Sequence, residues 1–208
     1  MFAMDHSEIV DWQTFVNQNP WAAQALEQMA GVDEQLPKQC IAVFYVIDTT
    51  ARKITHQLNA VTWSSDYKFR AAFRNLNWAS MERTFKVEDD DILQLENPQT
   101  IINDGGEIFF LMHNDVVTGT VALVVENGEY QATWMAVANN YLGLGFTHAL
   151  LVVITNWARI RGLPGISVLT STTLGSAVSL YQTHGFQVTH FDEHCSGARY
   201  DMSLRLCL

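Results

Sequence analysis

The stretch WMAVANNYLGLGFTHALL at 134–151 decides how the chain folds. Its first residues form an apolar, strand-like run, Asn139 and Asn140 break it, and Gly143 and Gly145 stand one residue apart before a second apolar run. In that second run Phe146, Ala149, Leu150, Val153, Ile154 and Trp157 recur at the spacing of a helix laid on a sheet, and Gly162 and Pro164 stop it. A strand that turns through two glycines into a helix is either a tight turn or a place where backbone amides meet a phosphate. Its neighbours decide between the two.

Upstream, the polar turn DGG at 104–106 introduces the strand EIFFLMH, and HNDV at 113–116 marks a hairpin turn into VTGTVALVVE. A second turn at Asn127 and Gly128 leads into EYQATWMAV, so the pattern predicts three adjacent strands in an antiparallel meander. Downstream, ISVLTS at 166–171 has the short apolar character of a central strand. LGSAVSLYQTH reads as a helix with Leu174, Ala177, Val178 and Tyr181 on one face, ended by Gly185, and FQVTHF and YDMSLRL as the last two strands. From Asp66 onward this alternation predicts an α/β (α+β) fold, a mixed, mostly antiparallel sheet with helices on both faces.

The earlier chain is less regular. YKFRAAFRNLN at 67–77 suggests a strand running toward a helix near residues 78–85. Residues 7–30 read as helical, with Ser7 as N-cap, Ile9, Trp12, Phe15 and Val16 on one stripe, and Pro20 dividing two helices. CIAVFYVI at 40–47 reads as a strand, while ARKITHQLNAV at 51–61 fits either a strand or a helix. The chain thus divides into an N-terminal extension, 1–65, and a domain at 66–208.

With 208 residues, 48% of them hydrophobic, the chain can bury one sizeable core. Its apolar runs, such as IAVFYVI at 41–47 and ALLVVI at 149–154, fall well short of the roughly 20 residues that span a bilayer, and no secretion signal opens it, so the expectation is a soluble, cytoplasmic protein without membrane partners. A net charge of -10 argues against nucleic acid, which needs clustered Lys and Arg. Cys40, Cys195 and Cys207 have no metal or disulfide spacing and read as reduced thiols. His190, Asp192, Glu193, His194 and Cys195 diverge in a strand-to-loop setting, so no metal site is expected, and His148 and His184 read as surface or capping residues.

Three local patterns resemble the GNAT N-acetyltransferase superfamily. They are MAV followed by the glycine turn, the helix after it, and VLTSTTLGSAVSLYQTHGF, in which Ala177, Leu180, Tyr181, Gly185 and Phe186 carry an A-x-x-L-Y-x-x-x-G-F spacing. Upstream, LNWASMERTFKVEDDDILQLENPQTIINDGGEIFFLMHNDVVTGTVAL is similar to the acetyltransferase halves of proteins that fuse a MarR-type helix-turn-helix to a GNAT domain. The resemblance covers about residues 66–208, and no DNA-binding role is carried over to the short, acidic 1–65.

The resemblance implies acetyl-CoA as co-substrate, lying where the family's fourth strand splays from the fifth. It implies cofactor contacts at Met135, Ala136, Val137, Leu142, Gly143, Leu144, Gly145, Phe146, Thr147 and Tyr181, with the pyrophosphate on the glycine loop and the Val137 amide polarising the thioester carbonyl. The family loop Q/R-x-x-G-x-G/A falls on 142–147, so Leu142 replaces its Arg or Gln and Thr147 its last small residue. Tyr181 is the candidate acid that reprotonates the CoA thiolate. The family's glutamate base is Gln131 here, and Glu129, two residues away on the same strand face, is the candidate that reaches the same water. The implied activity is acetyl transfer to an amine of a small molecule or peptide by direct attack, the acidic chain favouring a cationic acceptor. The alternative is a non-catalytic GNAT-like binding or regulatory module with a degenerate CoA site. A homodimer is the remaining partner expectation.

Overall fold

The computed structural model describes residues 1–5, 8–29, 40–63, 66–192 and 199–208. The expected meander is there: β5 (Glu107–His113), β6 (Val116–Glu126) and β7 (Glu129–Val137) pair antiparallel in sequence order. Positive φ at Asn114 and Asp115, and again at Asn127 and Gly128, turns the chain with the twist that two-residue hairpins need. After the glycine turn α6 (Phe146–Ile160) lies on this sheet, burying Phe146, Ala149, Leu150, Val153, Ile154 and Trp157. Each large side chain among them contributes roughly 1.5–3 kcal/mol by leaving water, which is what pins the helix to the strands. β8 (Gly165–Thr170), α7 (Gly175–Thr183), β9 (Gln187–Phe191) and β10 (Met202–Cys207) complete the C-terminal half as expected.

The N-terminal residues add strands to the same sheet. β1 (Phe2–Asp5), β2 (Glu8–Asp11), β3 (Cys40–Asp48) and β4 (Lys53–Thr62) give a ten-stranded order β2-β1-β3-β4-β5-β6-β7-β8-β10-β9. Among the described strands only β1/β3 and β7/β8 pair parallel. The open choice at 51–61 is a strand, β4, hydrogen-bonded to β5, so the boundary drawn at 65/66 falls inside one continuous sheet. One core, under α6, joins Met4, Phe44, Val46 and Leu58 to Phe109, Leu111 and Leu150.

Helices α3 (Tyr67–Met81), α4 (Asp89–Glu96) and α5 (Gln99–Asn103) cover the other face of the sheet, and α1 (Trp12–Gln18) and α2 (Trp21–Met29) cover its N-terminal end. Two expectations fail here. Residues 67–77 are helix, not strand: Asp66 caps the start by accepting from the Lys68 amide at 3.0 Å, and Phe69, Phe73, Asn77 and Met81 form the buried four-residue stripe. Ile9 is in a strand, opposite Met4, and the helix after it starts from Asp11, whose carboxylate accepts from the amides of Gln13 and Thr14; Ser7 lies outside the described residues. The helices do meet at Pro20, as read.

Candidate active site

β7 and β8 pair only at Tyr130↔Ile166, Gln131↔Ser167 and Ala132↔Val168, and beyond Ala132 they diverge. That splay is made on the β7 side by a bulge. Thr120 pairs with Ala136 but Ala122 with Thr133, so Val121 faces both Trp134 and Met135, and Trp134 takes φ +50°. The extra residue reverses the alternation of side chains: Ala132 and Val137, five apart, both enter the core under α6, while Trp134 packs on the opposite face near Phe73 and donates to Gln94 Oε1 at 3.1 Å. Past the bulge, the Ala138 amide donates to Thr118 O at 2.9 Å. Since an antiparallel strand bonds a given neighbour through alternate residues, Ala136 also turns to β6 and the Val137 N–H points toward β8, into the splay.

The glycine turn has the geometry of an anion seat. Gly143 and Gly145 have φ of 78° and 81°, a left-handed backbone that a side chain would strain. Gly145 is the N-cap of α6 and offers no side-chain acceptor, so the amides of the first turn are left to whatever sits over the helix end. Phe146 is fully buried and stacks on Tyr141 at 4.9 Å, with His56 and His113 beneath the pair, so this residue presents only its backbone. Leu142 is half exposed.

Two cavities flank the splay and meet at Ser80 and Met135. The smaller, about 170 Å³, is lined by Met135, Ala136, Val137, Leu142 and Thr147 together with Arg83. The structure therefore brings five of the expected cofactor positions together around the glycine turn. It also supplies a cation that sequence reasoning missed: Arg83, just past the end of α3, donates to Asn139 Oδ1 in the turn. Nothing in the local sequence marks this residue, because it lies 56 positions from its partner.

The larger cavity, about 750 Å³, lies on the α3 and α4 side and is lined by Gln131, Thr133, Trp134, Leu174, Tyr181 and Tyr200 among others. Burial, with a smaller contribution from the neighbouring Tyr200 phenol, pushes the Tyr181 hydroxyl up to about 12, so it is a protonated donor throughout the working range. Glu129 is elsewhere. Its carboxylate accepts from Arg205 Nη1 at 2.7 Å on the paired part of the sheet, and it lines neither cavity. Sharing a strand face with Gln131 does not bring it to the splay, because β7 and β8 are still zipped at that level.

His184 is the C-cap of α7, as read, but the two histidines are also paired. His148 in the first turn of α6 and His184 after α7 face one another, Nδ1 to Nε2 at 2.9 Å, and burial followed by the mutual charge lowers His184 to about 4. No group of three or more metal-ligating side chains occurs among the described residues, and Glu193, His194 and Cys195 lie outside them.

Residues 104–188 match the family model of the acetyltransferase (GNAT) domain. Among solved structures the chain is similar to an acetyltransferase of the GNAT family from Staphylococcus aureus Mu50, with TM-score 0.62 and 19% identity over 73% of this chain and 99% of that one. An acetyltransferase from Streptococcus agalactiae gives TM-score 0.61 and 15% identity over 73% and 98% of the two chains. A GNAT family acetyltransferase from Elizabethkingia anophelis with acetyl-CoA bound gives 0.51 and 16% over the same shares. No curated protein matches the sequence. These comparisons give no support to a MarR-type helix-turn-helix partner. The chain therefore has the mixed α/β fold of the GNAT acetyltransferases, with a central, mostly antiparallel sheet.

Proposed function

We propose that the protein is an acetyl-CoA-dependent N-acetyltransferase acting on an amine of a small molecule or peptide. The observation that carries this is the convergence at the splay: the Val137 N–H, the uncapped amides of α6 and the Tyr181 hydroxyl all border two joined cavities. Solved neighbours named as binding acetyl-CoA or coenzyme A support the same co-substrate.

In this reading the α6 amides and Arg83 hold the pyrophosphate, and the thioester lies between β7 and β8 with its carbonyl oxygen on the Val137 N–H. The neutral amine attacks the carbonyl carbon, a C–N bond forms, and the C–S bond breaks. The amine's proton leaves to solvent, the thiolate takes one from Tyr181, and Tyr181 regains its proton from solvent, giving an amide and free coenzyme A. With its pKa at about 12, Tyr181 transfers a proton downhill only if the thiolate is desolvated by the same surroundings, so its first role is to donate a hydrogen bond to the developing sulfur charge. Gln131 lines the cavity but cannot act as a base, and Glu129 is set as a structural partner of Arg205.

We place the start of the GNAT-like unit at β4, because that strand forms the outer neighbour of β5. A cytoplasmic location and the absence of nucleic-acid partners remain expectations from composition. Among the described residues no helix is long and apolar enough to cross a membrane.

The second reading, a non-catalytic GNAT-like module, is favoured by Gln131, Leu142 and Thr147. Calorimetry with acetyl-CoA separates the two: saturable heat is expected, and neither heat nor a thermal shift would end the enzyme reading. Turnover on a panel of amines then tests transfer.

A further inference from the structure

We propose that the acceptor is an amine that also bears a carboxylate, of the amino-acid class, and that Arg199 holds that carboxylate in the larger cavity. This rests on the acetyl-transfer reading above and adds a substrate class to it. Arg199 lines the cavity beside Asp91, Phe85 and Tyr200. Its Nη1 donates to both oxygens of Asp91, at 2.8 Å each, and Glu88 Oε2 is 4.0 Å away. Asp91 is itself buried and fixed in α4, where its other task is to accept from the Glu88 amide at 2.9 Å in a capping box. The guanidinium is further held at 5.3 Å and 5.7 Å from the ring centres of Phe85 and Tyr200.

One donor of this clamped group is not used among the described residues. Both bonds to Asp91 come from Nη1, and Nε is buried without a hydrogen-bond partner among the described residues. Leaving a buried donor of a charged group unbonded is costly, so its retention in a native structure calls for a reason, and completion by a bound group is one. A planar guanidinium edge is matched by a planar two-oxygen acceptor, which is a carboxylate. A hydroxyl or ammonium does not match it, the first having one oxygen and the second only donors. Asp91 and Glu88 together outweigh the Arg199 charge, so the incoming carboxylate is held by the directional hydrogen bond to the unpaired donor and not by net attraction.

The position fits an amine acceptor. Tyr200 follows Arg199 in the chain, and its phenol is near enough to Tyr181 to disfavour ionisation there, so the anchored carboxylate sits beside the proton donor of the splay. Trp134, Met81 and Leu174 provide apolar wall for a side chain. Net charge alone points to cationic amines in general; Arg199 distinguishes an amino acid from the amine left after its decarboxylation.

The test needs no coenzyme. Calorimetric titration of the full chain would compare N-acetyl-L-phenylalanine, N-acetyl-L-leucine and Nα-acetyl-L-lysine with N-acetylphenethylamine, N-acetyl-3-methylbutylamine and N-acetylcadaverine. At least one carboxylate-bearing compound should bind about tenfold or more tightly than its decarboxylated counterpart, as expected of one charge-assisted bidentate pair. In Arg199→Lys, which keeps a cation opposite Asp91 but lacks the Nε edge, that preference should vanish. If no carboxylate compound outbinds its counterpart, or the preference survives in Arg199→Lys, the inference is overturned; the wild-type comparison decides alone if the variant does not fold. Heat from acetyl-CoA without carboxylate preference would remove this inference and leave acetyl transfer standing, whereas carboxylate preference without acetyl-CoA heat would do the reverse.

Discussion

Arg83 and Tyr181 carry the two most direct tests at the level of single residues. Leu142 stands where the loop it resembles has Arg or Gln, and Arg83 reaches the same turn from α3 across the smaller cavity. If it meets the pyrophosphate, Arg83→Ala should weaken coenzyme A binding by about tenfold, the worth of one charge-assisted contact. Pantetheine, which has no pyrophosphate, should bind both proteins equally, and a parallel loss for pantetheine would show that Arg83 only shapes the turn. For Tyr181, removal of the hydroxyl in Tyr181→Phe should lower kcat about a hundredfold or more with little change in coenzyme A affinity, as general acids do. An unchanged kcat would return the residue to core packing. Glu129→Gln should leave kcat within about twofold, since an exposed ion pair with Arg205 contributes about 1 kcal/mol or less and touches no cavity.

The elements most legible in sequence were those whose signals are local. The meander follows from turn residues flanked by β-branched runs, and α6 and α7 from four-residue apolar stripes ended by Gly162 and Gly185. What failed was ambiguous or non-local. YKFRAAFR alternates enough to pass for a strand, and only the Asp66 cap and the continuation of the stripe to Asn77 and Met81 identify α3. The bulge at Trp134 has no signature, because a tryptophan at positive φ is held there by Phe73 and Gln94 from other elements. The loop was found because glycine is required by its backbone, while Arg83, the Arg199–Asp91 pair and the idle position of Glu129 depend on contacts between distant segments. The same is true of His148 and His184, which tie the start of α6 to the end of α7. His184, lowered to about 4, is neutral in the fold and takes up a proton near its ordinary value of 6.5 when unfolded. The pair's contribution is thus complete above pH 6.5 and is lost as pH falls toward 4. The loss should be about 1–2 kcal/mol, reduced by solvent screening of a half-buried pair, or roughly 2–8 °C in Tm. In His184→Gln, thermal melts between pH 7 and 4 should show a flatter decline, and an unaltered slope would assign the acid sensitivity to other groups.

At the scale of the molecule, the acetyltransferase-like part and the N-terminal residues share one sheet and one core. β4 supplies the outer neighbour of β5, and Leu58 and Ala60 lie under α6 with Phe109 and Leu111. Cutting at 65/66 would therefore remove a paired strand, expose the hydrogen-bonding edge of β5 and strip apolar cover from the strands that hold the α6 turn. Large apolar side chains fully buried on the removed side include Met4, Phe44 and Leu58, each costing about 2–5 kcal/mol when truncated singly, so their joint loss is as large as the roughly 5–15 kcal/mol by which a typical domain is stable. A chain of residues 66–208 should be insoluble or lack a cooperative thermal transition, and should not bind acetyl-CoA by calorimetry even though every candidate site residue is present. A cooperative melt with acetyl-CoA heat from that fragment would show that the ten-stranded sheet is two separable units, with residues 1–65 dispensable to the site.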